Sequence, residues 1–316
     1  MDFEPSDDQR AICEAADALL AQHAGPARAA ALDSAGGYDH ELDAALASAG
    51  FSEAALGPET GFLEATLLCR AVARAAGCVA FGASALVAPG VTGRALPGPV
   101  ALARLHDDAP IRFGADAKSL LLDCGDEARL LRIEPGTATR VRTNFMWPMG
   151  RVKQVAGAGT SLGGGSGAKL RRWWRVALAA ELLGAMESAL AITLDYVKRR
   201  RQFGRAIGSF QAVQHRLALA TVMVEGTRWL TYEAAARGAP DESAALAAAH
   251  AADAAQLVFR ETHQLTGAMG YTREHPLHVF SMRLAALRQE MGGLAAQRRE
   301  VARARWASAE GARSEP

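Results

Sequence analysis

Aromatic residues make up only 6% of this 316-residue chain, too few for the base-stacking platform of a single-strand nucleic-acid binder. Charge of one sign is equally scarce. Lys and Arg (35) balance Asp and Glu (34), and a formal net charge of +1 excludes a broad basic face. Cysteine is limited to positions 13, 69, 78 and 124, with no CxxC pair, so small buried thiols of a reducing compartment are expected rather than a disulfide framework. A long hydrophobic run is also missing: the most apolar stretch, VALAAELLGAMESALAITL, carries Glu181 and Glu187 and is too polar to span a bilayer. The opening MDFEPSDDQR is acidic, unlike a signal peptide. These absences lead to the expectation of a cytoplasmic protein with no membrane insertion and no nucleic-acid partner.

The periodicities that are present are mostly helical. Residues 1–88 read as an N-terminal helical domain: Ser6 and Gln9 form an S-x-x-Q capping box, and Ile12, Ala16, Leu19 and Leu20 follow at helical spacing. YDHELDAALASAG is a second helix closed by Gly50, and FLEATLLCRAVARAAG a third ending at Gly77. From 89 to 156 the texture changes. Pro89, Pro97, Pro99 and Pro110 break helices, and SLLLD, ARLLRIE and TRVRTNF predict three or four short strands, a reduced β-rich segment. GAGTSLGGGSG lacks the Lys-Ser/Thr ending of a P-loop, so 157–168 is expected to be a flexible linker. From 169 to 316 four long helices with short connections predict a C-terminal four-helix bundle.

Two segments carry candidate chemistry. VKRRRQFGRAIGSFQAVQHRLA ends the first bundle helix and starts the next. Cations there complement the carbonyl end of the helix, which is their bland role. Arg200 beside Gln202 and Phe203 also offers a guanidinium fork for phosphate, an amide and an aromatic face. HQLTGAMGYTREHPL places Gln264, Gly267, Gly270 and Tyr271 at the turn between the third and fourth helices, where glycine allows a ligand to approach the backbone. His250 with Asp253, and His275 with His278, provide no third ligand, so no metal site is expected.

Together these segments resemble the acyl-CoA dehydrogenase family, whose R-x-Q-F-G-x-x-I, F-Q and Q-x-x-G-G-x-G-Y motifs are matched by Arg200, Gln202, Phe203, Gly204 and Ile207, by Phe210 and Gln211, and by Gln264, Gly267, Gly270 and Tyr271. MDFEPSDDQRAI and ELDAALASAGF resemble the family's first two helices. The resemblance implies a mainly α fold with a helical domain, a middle β segment and a four-helix bundle. It implies FAD shared across a subunit interface, with Arg200, Gln202, Phe203, Gln211, Gln264 and Gly267 as cofactor-binding residues. It also implies α,β-dehydrogenation of an acyl-CoA to a 2-enoyl-CoA, with an electron-transfer flavoprotein as electron acceptor.

Two departures qualify that expectation. The family's base is a glutamate at a position that falls on Gly292, followed by Gly293, or in a minority pattern at a position that falls on Trp174, followed by Arg175; neither carries a carboxylate. No catalytic residue is therefore expected. Glu290 is read as a surface carboxylate, and Glu181 and Glu187 as helix-face charges or partner contacts. The middle segment also lacks a T-E-P-x-x-G-S-D stretch. Both departures resemble the short, base-lacking subunit of heterotetrameric, steroid-catabolism-type enzymes, implying a full-length acyl-CoA dehydrogenase partner in a heterodimer or α2β2 assembly. A non-enzymatic helical stabilising subunit, and a lone flavoprotein with different chemistry, are the alternatives.

Overall fold

The structure, a computed structural model, describes residues 5–105, 109–134, 136–152 and 157–311; the first four residues of the MDFEPSDDQRAI motif lie outside them. The N-terminal unit holds α1 (Asp7–His23), α2 (Pro26–Ala35), α3 (His40–Ser48), α4 (Phe62–Arg74) and α5 (Ala88–Thr92). α1 starts at the predicted capping box: Gln9 N–H donates to Ser6 Oγ at 3.1 Å and Ser6 N–H to Gln9 Oε1 at 3.0 Å. Asp39 caps α3 by accepting from Leu42 N–H at 3.1 Å. α4 ends on Ala76 at φ 58°, not on Gly77; Gly77 is needed for space, since a Cβ there would lie 2.7 Å from Val72 Cγ1. A π-helical run, Gly82–Val87, continues directly into α5, which carries Pro89 as its second residue.

The middle segment is richer in strands than its sequence suggests. β1 (Val100–Arg104) pairs in parallel with β3 (Ser119–Asp123), β3 antiparallel with β4 (Glu127–Arg132), and β4 with β7 (Thr160–Gly164). A second antiparallel sheet runs β2 (Ile111–Arg112), β6 (Met149–Val152), β5 (Ala138–Val141). All five residues of β3 are buried, as its continuous apolar run requires. The expected linker at 157–168 is corrected here: Thr160–Gly164 is the edge strand β7, and the neighbouring glycines serve close packing. A Cβ at Gly159 would stand 2.5 Å from the Leu130 carbonyl oxygen, and one at Gly167 2.2 Å from that of Gly125.

α6 (Ser166–Arg199) is the axis of the molecule. The reading of its apolar stretch as too polar to span a bilayer is corrected here: by length and composition α6 could cross a membrane, but 72% of its most apolar stretch is buried inside the protein, as in the core helix of a globular fold. It approaches α4 so closely that a Cβ on Gly184 would sit 2.2 Å from the Arg70 carbonyl oxygen. A short hairpin, β8 (Arg201–Gln202) and β9 (Arg205–Ala206), leads to α7 (Gln211–Ala236), then α8 (Asp241–Thr266), α9 (Leu277–Leu287) and α10 (Gly293–Gly311). α8 packs against α6, α7 and α10, with α9 laid across α6, giving the expected bundle. Among the apolar residues of α6 and α7, Leu178, Leu182 and Met186 are buried, whereas Leu194, Leu219 and Val222 are exposed.

Candidate functional site

Because α6 and α8 run the same way and α7 runs back, the end of α6, the start of α7 and the end of α8 meet at one end of the bundle. Arg216 of α7 pairs with Glu261 of α8 at 2.9 Å, and Tyr196 of α6 meets His275 edge-on with ring centroids 5.7 Å apart. The six expected cofactor residues, Arg200, Gln202, Phe203, Gln211, Gln264 and Gly267, are all at this end and all exposed. The three arginines differ. Arg199 is tied to Asp195 at 2.6 Å and Arg201 reaches the Gly204 carbonyl at 3.4 Å, while the Arg200 side chain has no ion pair or hydrogen bond among the described residues. Phe203 is 90% exposed at the tip of the β8–β9 hairpin and holds φ 51°, a left-handed conformation that a bulky residue rarely adopts. Nearby, Arg205 lies over the Phe210 ring at 4.0 Å.

Gly267 breaks α8 at φ 59°, with open space where a Cβ would be, so its backbone faces outward. Gly270 is instead a packing glycine, since a Cβ there would lie 2.1 Å from Thr266 Oγ1. Beneath this turn His263 is 5% exposed, with both ring nitrogens unpartnered, between Phe259 and Tyr271 at centroid distances of 4.6 and 4.5 Å. Burial lowers its pKa from the usual 6.5, so the unfolded chain takes up the proton first as pH falls. Stability contributed by neutral His263 is thus present above about pH 6.5 and lost below it. His263→Phe is expected to flatten part of the fall in melting temperature on acidification. Burial shifts His250 and His275 the same way, which leaves the remainder. An unchanged pH profile would contradict this.

A second feature lies far along α6. A cavity of about 420 Å3 is walled by apolar residues from the N-terminal unit and the sheets, among them Ala83, Leu102 and Met149. Its polar corner is a four-residue cluster. Arg112 of β2 pairs with Glu181 Oε2 at 2.7 Å and with Glu290 Oε1 at 3.0 Å, and the Trp174 indole N–H donates to Glu290 Oε2 at 3.2 Å. Burial pushes the Glu181 carboxyl up, opposed by the Arg112 charge. Gly292 and Trp174, the two positions expected for a base, line this same cavity.

Three sequence readings are corrected by these contacts. Glu290 is not a surface carboxylate. α9 stops at Leu287, and Glu290–Gly292 is a tight turn with Met291 at φ 54°, so helical side-chain geometry does not apply and the carboxylate enters the cavity. Glu181 is buried against Arg112, and Glu187 is held by Arg70 at 2.7 Å and Arg228 at 2.8 Å; neither is a free helix-face charge. Arg112, the hub, has no motif of its own, and only the fold brings its short strand to α6.

Residues 171–305 match the family described as acyl-CoA dehydrogenase, C-terminal domain. Among curated proteins, the acyl-CoA dehydrogenase IpdE2 of Mycolicibacterium smegmatis is 37% identical over 138 residues, 44% of this chain and 43% of that one. The bovine mitochondrial short/branched chain specific acyl-CoA dehydrogenase is 34% identical over 34% of this chain and 26% of its own length. The chain thus matches less than half the length of these relatives. Among solved structures, the ChsE4-ChsE5 complex of Mycobacterium tuberculosis aligns over 100% of both chains, with a TM-score of 0.81 at 23% identity. A Tcur3481-Tcur3483 steroid ACAD variant covers 98% of this chain and 99% of its own, with a TM-score of 0.85 at 24% identity. At these identities the likeness establishes the fold.

Proposed function

We propose that this chain, whose residues 171–305 match an acyl-CoA dehydrogenase C-terminal domain, is a flavoprotein subunit that takes part in FAD-dependent α,β-dehydrogenation of an acyl-CoA, of steroid origin by analogy with the steroid ACAD of like fold, and works as the catalytically incomplete partner of a full-length subunit. The supporting observation is a distance. Trp174 lies on α6 and Arg200 caps the end of that helix 26 positions on, about 39 Å at 1.5 Å per residue, too far for one dinucleotide to join. The exposed residues at the bundle end therefore serve a flavin whose reactive ring lies against another subunit. The cavity of this chain belongs to a different flavin. Such an arrangement favours a flavoenzyme subunit over a helical stabiliser, which has no use for an unpaired arginine and an exposed, strained phenylalanine.

The side chains present fit FAD. Arg200 has a guanidinium fork, unpaired among the described residues, for diphosphate oxygens, Phe203 offers its face to a ring, and Gln202, Gln211 and Gln264 present amides that both donate and accept. Gly267 leaves its backbone open to approach. When bound, FAD supplies the hydride acceptor. The residues at the bundle end bind and orient it, and the apolar cavity excludes water from an acyl chain. An electron-transfer flavoprotein is the proposed acceptor for the assembly.

Co-expression with a full-length acyl-CoA dehydrogenase tests this reading. A yellow complex that oxidises acyl-CoA is expected. Arg200→Ala should weaken FAD retention about tenfold, as loss of a charge-assisted hydrogen bond implies. A chain that alone forms a yellow, acyl-CoA-oxidising homo-oligomer would refute the heteromer, and unchanged FAD content in Arg200→Ala would refute the cofactor role.

A further inference from the structure

The two positions from which the family's base would act carry no carboxylate, yet they flank one. Gly292 is two residues from Glu290 on the same turn, and Trp174 donates its indole N–H to Glu290 at 3.2 Å. Met291, Gly292 and Gly293 hold φ of 54°, 87° and 67°. These three successive residues at positive φ take the chain out of helical geometry, and Glu290 lines the cavity. A glutamate cannot simply return to position 292, where a Cβ would meet Ala296 Cβ at 2.8 Å on a backbone suited to glycine. Of the two carboxylates in the cavity, Glu181 is the deeper, with 11% of its side chain exposed against 22% for Glu290. Arg112 and Trp174 fix the Glu290 carboxylate from two sides and leave it at the cavity wall.

We propose that Glu290 is this chain's own proton acceptor, removing the α-proton of an acyl-CoA thioester lodged in the cavity. The inference rests on the dehydrogenase reading above. It places the chain's incompleteness in its flavin seat, which needs the partner, rather than in its acid–base chemistry. The Cα–H bond breaks and the proton goes to a Glu290 oxygen. The electron pair left on Cα forms the Cα=Cβ bond as the β-hydrogen departs with its pair to the oxidised flavin of the heteromer, which is reduced by two electrons. Arg112 and Trp174 are positioning residues.

The test uses the heteromer, with the full-length partner's own base replaced by glutamine, and a redox-inert 3-thia-acyl-CoA in D2O. Exchange of α-protons for deuterium is followed by mass spectrometry, beside flavin content and melting temperature. Exchange should persist with the wild-type chain and fall about a hundredfold or more in Glu290→Gln, the usual scale for a general base, with flavin content retained. No exchange in the wild-type chain, or a rate in Glu290→Gln within about threefold of it, overturns the proposal against that scale. Should Glu290→Gln not fold, Glu290→Asp decides: its shorter carboxylate should slow exchange about tenfold and shift the pH profile, and an unchanged rate and profile overturn the idea. If the complex with both bases intact carries no flavin and oxidises no acyl-CoA, the dehydrogenase reading itself fails, a result separate from loss of the Glu290 effect alone.

Discussion

Replacing Arg112 with methionine is expected to cost about 3–5 kcal/mol of unfolding free energy, the range for breaking a buried ion pair and leaving its partners uncompensated. Among the described residues Arg112 is the one side chain paired with both Glu181 and Glu290, and it also lies 5.1 Å from the centroid of Trp147. Without it, burial and the neighbouring Glu290 charge both push Glu181 upward against only the Arg283 charge, and its carboxyl is already shifted upward from 4.5. A raised folded-state pKa means that the native protein holds its proton more tightly than the unfolded chain. That contribution is complete below about pH 4.5 and is lost as pH rises towards the folded value. In Arg112→Met the folded value moves higher, so the stability deficit should grow from about pH 5 to about pH 8, and urea denaturation at the two values measures it. Adding Glu181→Gln to the variant should return part of the loss at the higher pH. A deficit that is large but independent of pH would mean that Arg112 stabilises through packing, not charge.

The same cluster shows where sequence reasoning reaches its limit. The capping box at Ser6 and Gln9, the stop at Gly50, the bundle helices and the gathering of Arg200 and Gln264 at one bundle end depend on local patterns or on helix direction, and these are legible in the residues. The strand inside GAGTSLGGGSG was hidden because glycine serves a free linker and a close-packed edge strand equally well; only Leu130 and Gly125 on the facing chain separate the two. Glu290 was misread for a related reason. Counting two positions back from Gly292 along a helix aims it away from the site, but the chain is not helical there, and a non-glycine residue at positive φ, Met291, cannot be foreseen from spacing. The partners of Glu181 and Glu187 come from β2, α4 and α7, separated from them by tens of residues, so no window along the sequence contains them.

Arg283→Ala is expected to be as damaging as the loss of Arg112, by a different route. Arg283 is 2% exposed and forms no salt bridge among the described residues. Its guanidinium donates at 3.1 Å to the carbonyls of Gly77 and Met146 and to Cys78 Sγ, and lies 4.8 Å from the Trp147 centroid. Burial shifts its pKa downward, so the charge is a cost that these acceptors and the ring offset. Truncation leaves two buried carbonyls without this donor and opens a cavity, and each defect is worth about 1–3 kcal/mol, or about 4 kcal/mol together. One acceptor matters beyond its own bond. Met146 holds φ 61°, a conformation costing about 1–2 kcal/mol for a non-glycine residue, and the Arg283 bond to its carbonyl helps to keep it there. Met146 precedes Trp147, a wall of the cavity, so amide exchange at Phe145, Met146, Trp147 and Met149 should rise in Arg283→Ala more than the global loss of stability accounts for. Arg283→Lys separates charge from geometry. An ammonium keeps the charge but lacks the planar fork that joins both carbonyls, so the lysine variant should stay closer to alanine than to wild type in melting temperature. A lysine protein as stable as the wild type would show that the buried charge, and not the fork, holds the cavity wall.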